Sequence, residues 1–470
     1  FPIVFLAHGN TLANPNSFRG YNYLQAALAQ AGIIAVSVRL DTTSILGDEA
    51  WAERLVRNID HFARANSNNR GKYFGKIDFQ RIGLFGHSRG GSAVRAAVPL
   101  LDAGRRVGAL LLLGSDDRLP VPADVPFMAI LPAAESIGTG YDPFVEYRGA
   151  PGYPDIPNAK TYDTVTPAPL KAALYVHGAN HNSWNRVWSG DPEPRPPVLL
   201  SREQQEMILR SYGSAFFQAF LIDRALAGGD AAFVNQQHGA ISFLTGLNVP
   251  RLFRRASPSS GQYGDIEVKP EVLHLSFKST DRITVDDHDS TDDGFATNTL
   301  GGSNTSSGVL VNEHADFLSG YAGRTRLVEV NQQTCDPNAG PCLGFVRYEL
   351  PTSSRDLTNR TGLILRAAEV VERGALSLPE QGIGFDVGLE SSTGEVAWCS
   401  ADRVGGLPRP YLRADRAQRY MLKTIRFRMS CFAGPAGDFL TRHRSRIAAI
   451  RIRPQAAPER KLAFDDLQLE

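Results

Sequence analysis

The first half of the chain alternates between two hydrophobic patterns. Short runs are apolar at nearly every position: Phe1 to Ala7, Ile33 to Val38, Ile82 to Phe85, Val107 to Leu113, Pro126 to Leu131 and Leu170 to Val176. Between them, apolar residues recur at helical spacing, as with Trp51, Leu55, Ile59 and Phe62 within Gly47 to Ala65. Tyr21 to Gln30, stopped by Gly32, and Glu203 to Leu226 also read as helices. Strands with no polar face must be covered on both sides, and the intervening helices supply that cover. The pattern predicts an α/β domain over residues 1–228, with a mostly parallel sheet between helices.

A Pro-, Ser-, Gly- and Arg-rich stretch from Arg251 to Gly264 breaks the alternation, so 229–264 reads as an extension and linker. From 265 to 470, β-type runs recur at Val272 to Phe277, Thr325 to Val330, Gly344 to Glu349, Gly362 to Ala367, Ile383 to Leu389, Ile425 to Met429 and Ile447 to Ile452. Turn-forming segments separate them, which predicts an antiparallel β-sandwich. The closing run, Leu462 to Leu469, resembles the last strand of jelly-roll carbohydrate-binding-like modules.

Composition narrows the class. A chain of 470 residues is long enough for two domains, and 42% hydrophobic with 21% charged residues is typical of soluble globular proteins. A formal net charge of +1 offers no electrostatic footprint for nucleic acid. No apolar run approaches the ~20 residues that a membrane-spanning helix needs. The chain opens directly in an apolar strand without a start methionine, which implies processing or further upstream sequence. All four cysteines, Cys335, Cys342, Cys399 and Cys431, fall in the last third. Two disulfides in a β-rich module imply a secreted or periplasmic protein, with reduced buried thiols as the alternative.

The most specific chemistry lies at Arg81 to Gly91. An apolar strand runs into Gly86-His87-Ser88-Arg89-Gly90 and then into a helix read from Ser92 to Val98. A Gly-x-Ser-x-Gly turn between strand and helix is the context of a nucleophile elbow, so tight that only small residues fit two before and two after the serine. Serine needs a base, an acid to orient that base, and donors for an oxyanion. His181, in the Gly178-Ala179-Asn180-His181 loop after the last strand, is the candidate base, and His177 at the strand end reads as structural. The acid follows the preceding strand. Glu135 comes first, with Asp142, Asp116 and Asp117 as alternatives. The N–H groups of Arg89 and Asn10 are the oxyanion donors, Asn10 following the His8-Gly9 pair after the first strand. His8 reads as structural.

Together these segments resemble the α/β-hydrolase superfamily, and within it the secreted esterase branch of cutinase-like polyester hydrolases, dienelactone-hydrolase relatives and platelet-activating-factor-acetylhydrolase-like proteins. The resemblance covers about residues 1–228. It implies a serine hydrolase that cleaves carboxylic esters, free or in a polymer, through an acyl-enzyme on Ser88. Glu135 stands where Asp is commoner in that family. An amidase or peptidase with the same triad, and a non-catalytic scaffold, are the competing functions. No cofactor is implied for the chemistry. Asp286, Asp287 and Asp289 offer oxygen ligands for a structural calcium, against the alternative of a solvated acidic loop. Trp184 and Trp188 are expected to line a subsite or pack in the core.

Overall fold

The computed structural model describes residues 1–9, 14–40, 48–115, 125–134, 170–189, 200–223, 273–279, 282–286, 295–314, 327–332, 344–370, 382–408, 411–412, 418–419, 422–455 and 460–470. They fall into two compact units, one holding the described residues up to Asp223, the other those from Arg282 to Glu470.

The first unit is built on a sheet whose strands are β1 (Ile3–Ala7), β2 (Ile34–Val38), β3 (Ile82–His87), β4 (Val107–Leu113), β5 (Phe127–Pro132) and β6 (Leu170–Val176). All six run parallel, in the order β2-β1-β3-β4-β5-β6. Alternate residues of the strands point to opposite faces, and both faces are covered. Ile3, Phe5, Leu84 and Leu112 pack with α2 (Asp48–Ser67) and α3 (Arg89–Ala97), which contribute Trp51, Leu55, Ile59 and Val94. The opposite face meets α1 (Asn22–Gln30) and α4 (Arg202–Gln218). Gly83 leaves room there for the Phe217 ring, and Gly213 of α4 approaches Leu111 and Leu24. Helix α4 starts at a capping box in which Ser201 and Gln204 satisfy each other's backbone N–H groups. It gives way to a π-turn at Ala219–Asp223, a few residues before the end expected from hydrophobic spacing.

A seventh strand, β7 (Leu273–Ser279), takes the place beside β6. The sequence pattern expected this run to open the sandwich; the strand order of the sheet sets it next to β6. A β-type run specifies that it will pair, but not with which edge. The Arg251 to Gly264 linker lies outside the described residues.

The second unit consists of antiparallel strands: β8 (Ile283–Asp286), β9 (Asn304–Ser307), β10 (Val309–His314), β11 (Leu327–Gln332), β12 (Phe345–Glu349), β13 (Gly362–Val370), β14 (Phe385–Ser391), β15 (Val396–Ser400), β16 (Tyr411–Leu412), β17 (Gln418–Arg419), β18 (Lys423–Arg428), β19 (Ile447–Pro454) and β20 (Lys461–Leu469). One sheet has the order β10-β11-β20-β13-β18, with β8 also paired to β20. The other has the order β15-β14-β19-β12-β9. Val330, Leu365, Phe427 and Phe464 of the first share one buried core with Val346, Phe385, Val387 and Ile450 of the second, as a sandwich requires. Strand β20 bulges, and Asp466 adopts φ 50° there. Buried Arg366 of β13 meets Asp466 at 2.7 Å and Asp465 at 3.3 Å.

Cys399 on β15 and Cys431, just after β18, form a disulfide, one of the two expected in this module. Cys335 and Cys342 lie outside the described residues. The bridge spans 32 residues of sequence, a loop whose closure stabilises by about 4 kcal/mol. The paired Cys399→Ser, Cys431→Ser variant is therefore expected to unfold at lower denaturant by that amount. A shift below about 1 kcal/mol would remove the bridge from the account of stability.

Among the described residues no helix is long and apolar enough to cross a membrane.

Candidate active site

The order β2-β1-β3 means that the chain leaves β1 in one direction and returns on its other side to form β3. Ligands of open parallel sheets bind outside the carboxyl ends of the strands at such a switch point. The carboxyl ends here are His8-Gly9 after β1 and Ser88 after β3. Ser88 has φ 56° and ψ −130°, a conformation that L residues rarely adopt. Its N–H donates to the Leu113 carbonyl at 2.9 Å, and α3 begins at the very next residue, three residues earlier than expected. A methyl on Gly86 would strike the backbone of Gly90 and Gly91, and one on Gly90 would strike the Ala7 carbonyl. Glycine is required at both places so that the turn can fold back against β1.

The β1 loop reaches the serine directly. A Cβ built on Gly9 would stand 2.5 Å from Ser88 Cβ, 3.0 Å from Ser88 Oγ and 2.8 Å from Trp188 Cη2. Gly9, Ser88 and the edge of the Trp188 indole therefore meet around one small space. Arg89 opens α3, in whose first turn the Gly91 N–H donates to the Ser88 carbonyl at 2.8 Å. Its guanidinium lies over the Trp51 ring, 4.8 Å from the centroid.

His181 arrives from β6. Gly178 turns the chain with φ 73°, and the loop is pinned on all sides. Ala134 N–H donates to the Ala179 carbonyl at 2.7 Å, and Asn180 N–H to Gln205 Oε1 of α4 at 3.2 Å. The Trp184 indole N–H donates back to the Asn180 carbonyl at 2.6 Å. His181 is buried and its ring is nearly parallel to Trp188, at an interplanar angle of 12° and 6.1 Å between centroids. Both Ser88 and His181 thus border Trp188. Trp184 is fully buried as a core residue. His177 is half-buried and edge-on to Tyr175.

His8 is structural, as expected. Its Nε2 accepts the Leu40 N–H at 3.0 Å, so the proton sits on Nδ1, which donates to the Gly9 carbonyl at 2.7 Å. Burial disfavours the charged ring and lowers its pKa to about 4, against a smaller opposing effect of the Gly9 bond. The unfolded chain protonates near 6.5, so between pH 6.5 and 4 it binds a proton that the native state refuses. Stability is flat above pH 6.5 and falls as pH drops through that window, by about 3 kcal/mol in all. Denaturant unfolding at pH 7.5 and 4.5 is expected to show a larger acid loss in the parent than in His8→Gln. Equal losses would contradict a neutral buried His8.

Sequence reasoning passed over His87 and Tyr21. His87 is fully buried against both His181 and Trp188, with ring centroids 4.8 and 4.7 Å away. Tyr21 Oη lies 2.8 Å from His87 Nδ1. Burial pushes the His87 pKa well below the usual range, helped by the neighbouring His181 and His8. The available signal was alternation along β3, which puts Phe85 and His87 on one side, where the Tyr21 ring meets both.

Glu135, Asp142, Asp116, Asp117 and Asn10 lie outside the described residues. So do Asp287 and Asp289. Asp286 sits buried in β8 rather than in a solvated loop, and its Oδ2 accepts from Asn304 Nδ2 at 2.8 Å. Among the described residues no group of three or more His, Cys, Asp or Glu side chains is arranged to hold a metal. No model of a known protein family matches the chain, and no curated protein sequence does.

Proposed function

We propose that the first unit is an α/β-hydrolase-type serine hydrolase acting on carboxylic esters. The observation that carries this reading is the strained serine at the β3–α3 turn, held at φ 56° beside the switch point of a parallel sheet. Strain of this kind persists only where the surroundings impose it, and it clusters at reactive sites. Ser88 Oγ attacks the ester carbonyl carbon, and His181 takes the hydroxyl proton. The Arg89 and Asn10 amides receive the oxyanion. The tetrahedral intermediate collapses, the C–O bond to the alcohol breaks, and His181 protonates the departing alkoxide. Water, deprotonated by His181, then releases the acid from Ser88.

Glu135 remains the proposed orienting carboxylate. The hydrogen bonds from Ala133 N–H to the Val176 carbonyl at 2.9 Å and from Ala134 N–H to the Ala179 carbonyl tie the segment before it to the loop that carries His181. The Cys399–Cys431 disulfide supports export. The test is a chromogenic short-chain ester together with a fluorophosphonate probe. Turnover and labelling are expected in the parent and should be lost in His181→Ala with the fold intact. A parent that hydrolyses neither esters nor anilides and takes no label would leave the scaffold reading.

A further inference from the structure

We propose that Tyr21 and His87 form a positioning pair that holds the His181 loop and the Trp188 indole beside Ser88, an inference that rests on the ester-hydrolase reading of this site. His87 is fixed by its place in the chain. It is the last residue of β3, immediately before the strained serine, so its Cα moves only if the elbow moves. Its ring packs against both the His181 and the Trp188 rings, at 4.8 and 4.7 Å between centroids.

Tyr21 fixes the orientation of that ring. The phenol is fully buried and held neutral by desolvation, and the Asn185 side chain is within hydrogen-bonding reach of its oxygen. We assign the Asn185 amide as donor to the phenol oxygen. The phenol then donates its own proton to His87 Nδ1, which places the imidazole proton on Nε2. That Nε2 is buried without a hydrogen bond of normal geometry, although the His181 main chain acts on the ring. A ring so enclosed stays neutral, so it puts no like charge against His181 when His181 becomes an imidazolium.

The same short turn that presents Tyr21 also fastens the segment after His181. In Ser17–Tyr21, the Ser17 carbonyl accepts from Asn185 Nδ2 at 2.9 Å and Ser17 Oγ accepts from Trp188 Nε1 at 2.9 Å. The Gly20 carbonyl accepts from Arg186 N–H at 3.1 Å. Gly20 lies so close to Asn185 that a methyl there would collide with its amide. Tyr21, His87, Asn185 and Trp188 thus form one tied assembly that borders both the base and the nucleophile.

The experiment compares Tyr21→Phe, His87→Phe, the double variant and His87→Gln by steady-state ester hydrolysis and by the rate of fluorophosphonate labelling of Ser88. Small displacements of catalytic groups cost up to ~100-fold. Tyr21→Phe is expected to lower kcat by about 10-fold and His87→Phe by about 30-fold, with KM within about 2-fold of the parent. Because the two share one hydrogen bond, the double variant should fall no further than His87→Phe alone. His87→Gln, which keeps an acceptor for the phenol and a donor, should recover most of the kcat lost in His87→Phe. Unchanged kcat, a loss confined to KM, or additive losses in an enzyme that still labels would overturn the positioning pair alone. A parent that neither labels nor turns over would overturn it together with the hydrolase reading. Tyr21→Phe removes a single oxygen, so it carries the test should His87→Phe not fold: an unchanged kcat there overturns the proposal.

Discussion

Replacing Ser88 by glycine is expected to abolish ester hydrolysis and to make the first unit more stable. The two effects have separate physical origins. If Ser88 is the nucleophile proposed above, its loss lowers kcat by roughly 10⁴- to 10⁶-fold, because the remaining donors still bind the substrate but no acyl-enzyme forms. The gain comes from the backbone. Ser88 is held at φ 56° with ψ −130°, in a region that glycine visits freely and a residue with a Cβ does not. Relief of such strain is worth about 1 kcal/mol or somewhat more. Ser88→Ala keeps the Cβ, so it should lose activity equally without becoming more stable than the parent. Denaturant midpoints and initial rates for the three proteins check both halves at once. A Ser88→Gly variant that hydrolyses esters at even a hundredth of the parent rate would sink the assignment of the nucleophile.

In the second unit the largest expected effect is that of Arg366→Met. Arg366 joins β13 to the bulge of β20, where it meets Asp465 and Asp466, and all three side chains are almost wholly buried. Removing the guanidinium takes a positive partner from two carboxylates held away from water, and breaking a buried ion pair from one side destabilises by about 3–5 kcal/mol. The methionine fills much of the lost volume, so the penalty is one of charge rather than of a cavity. Converting both aspartates to asparagine in the same variant should restore part of the loss, because the desolvated charges are gone. The measurement is denaturant unfolding, followed by the fluorescence of Trp398 on β15 of the same unit. A loss below about 1 kcal/mol, or no recovery in the triple variant, would mean that water reaches the cluster and screens it.

How much of this was legible in the sequence depends on whether a feature is local or made through space. The six parallel strands were, because runs such as Ala109 to Leu113 are apolar on both faces and only a covered sheet accommodates that. The elbow was also legible, since strand, glycine-flanked serine and helix are contiguous. The fate of β7 was not, because its composition fits either sheet. Helix α3 begins earlier than hydrophobic spacing indicates, because the turn at Ser88 starts it and two glycines hide the amphipathic pattern. Tyr21 and His87 were missed for a different reason. They lie 66 residues apart, and each looks like an ordinary core residue until the fold brings their polar ends together. The buried Asp286 was hidden by its acidic neighbours in sequence, which make the strand end look like a solvated loop.

The crowding at the β3–α3 turn has a consequence for how the tolerance of this chain to mutation is interpreted. Built side chains at Gly9, Gly20, Gly86, Gly90 and Gly91 all collide with neighbouring atoms. In a saturation-mutagenesis map selected on hydrolysis, these five positions would score as intolerant as Ser88 and His181, though none carries a reactive group. A ranking by intolerance alone would therefore draw the active site too large, and only chemical labelling would separate the residues that react from those that must stay small.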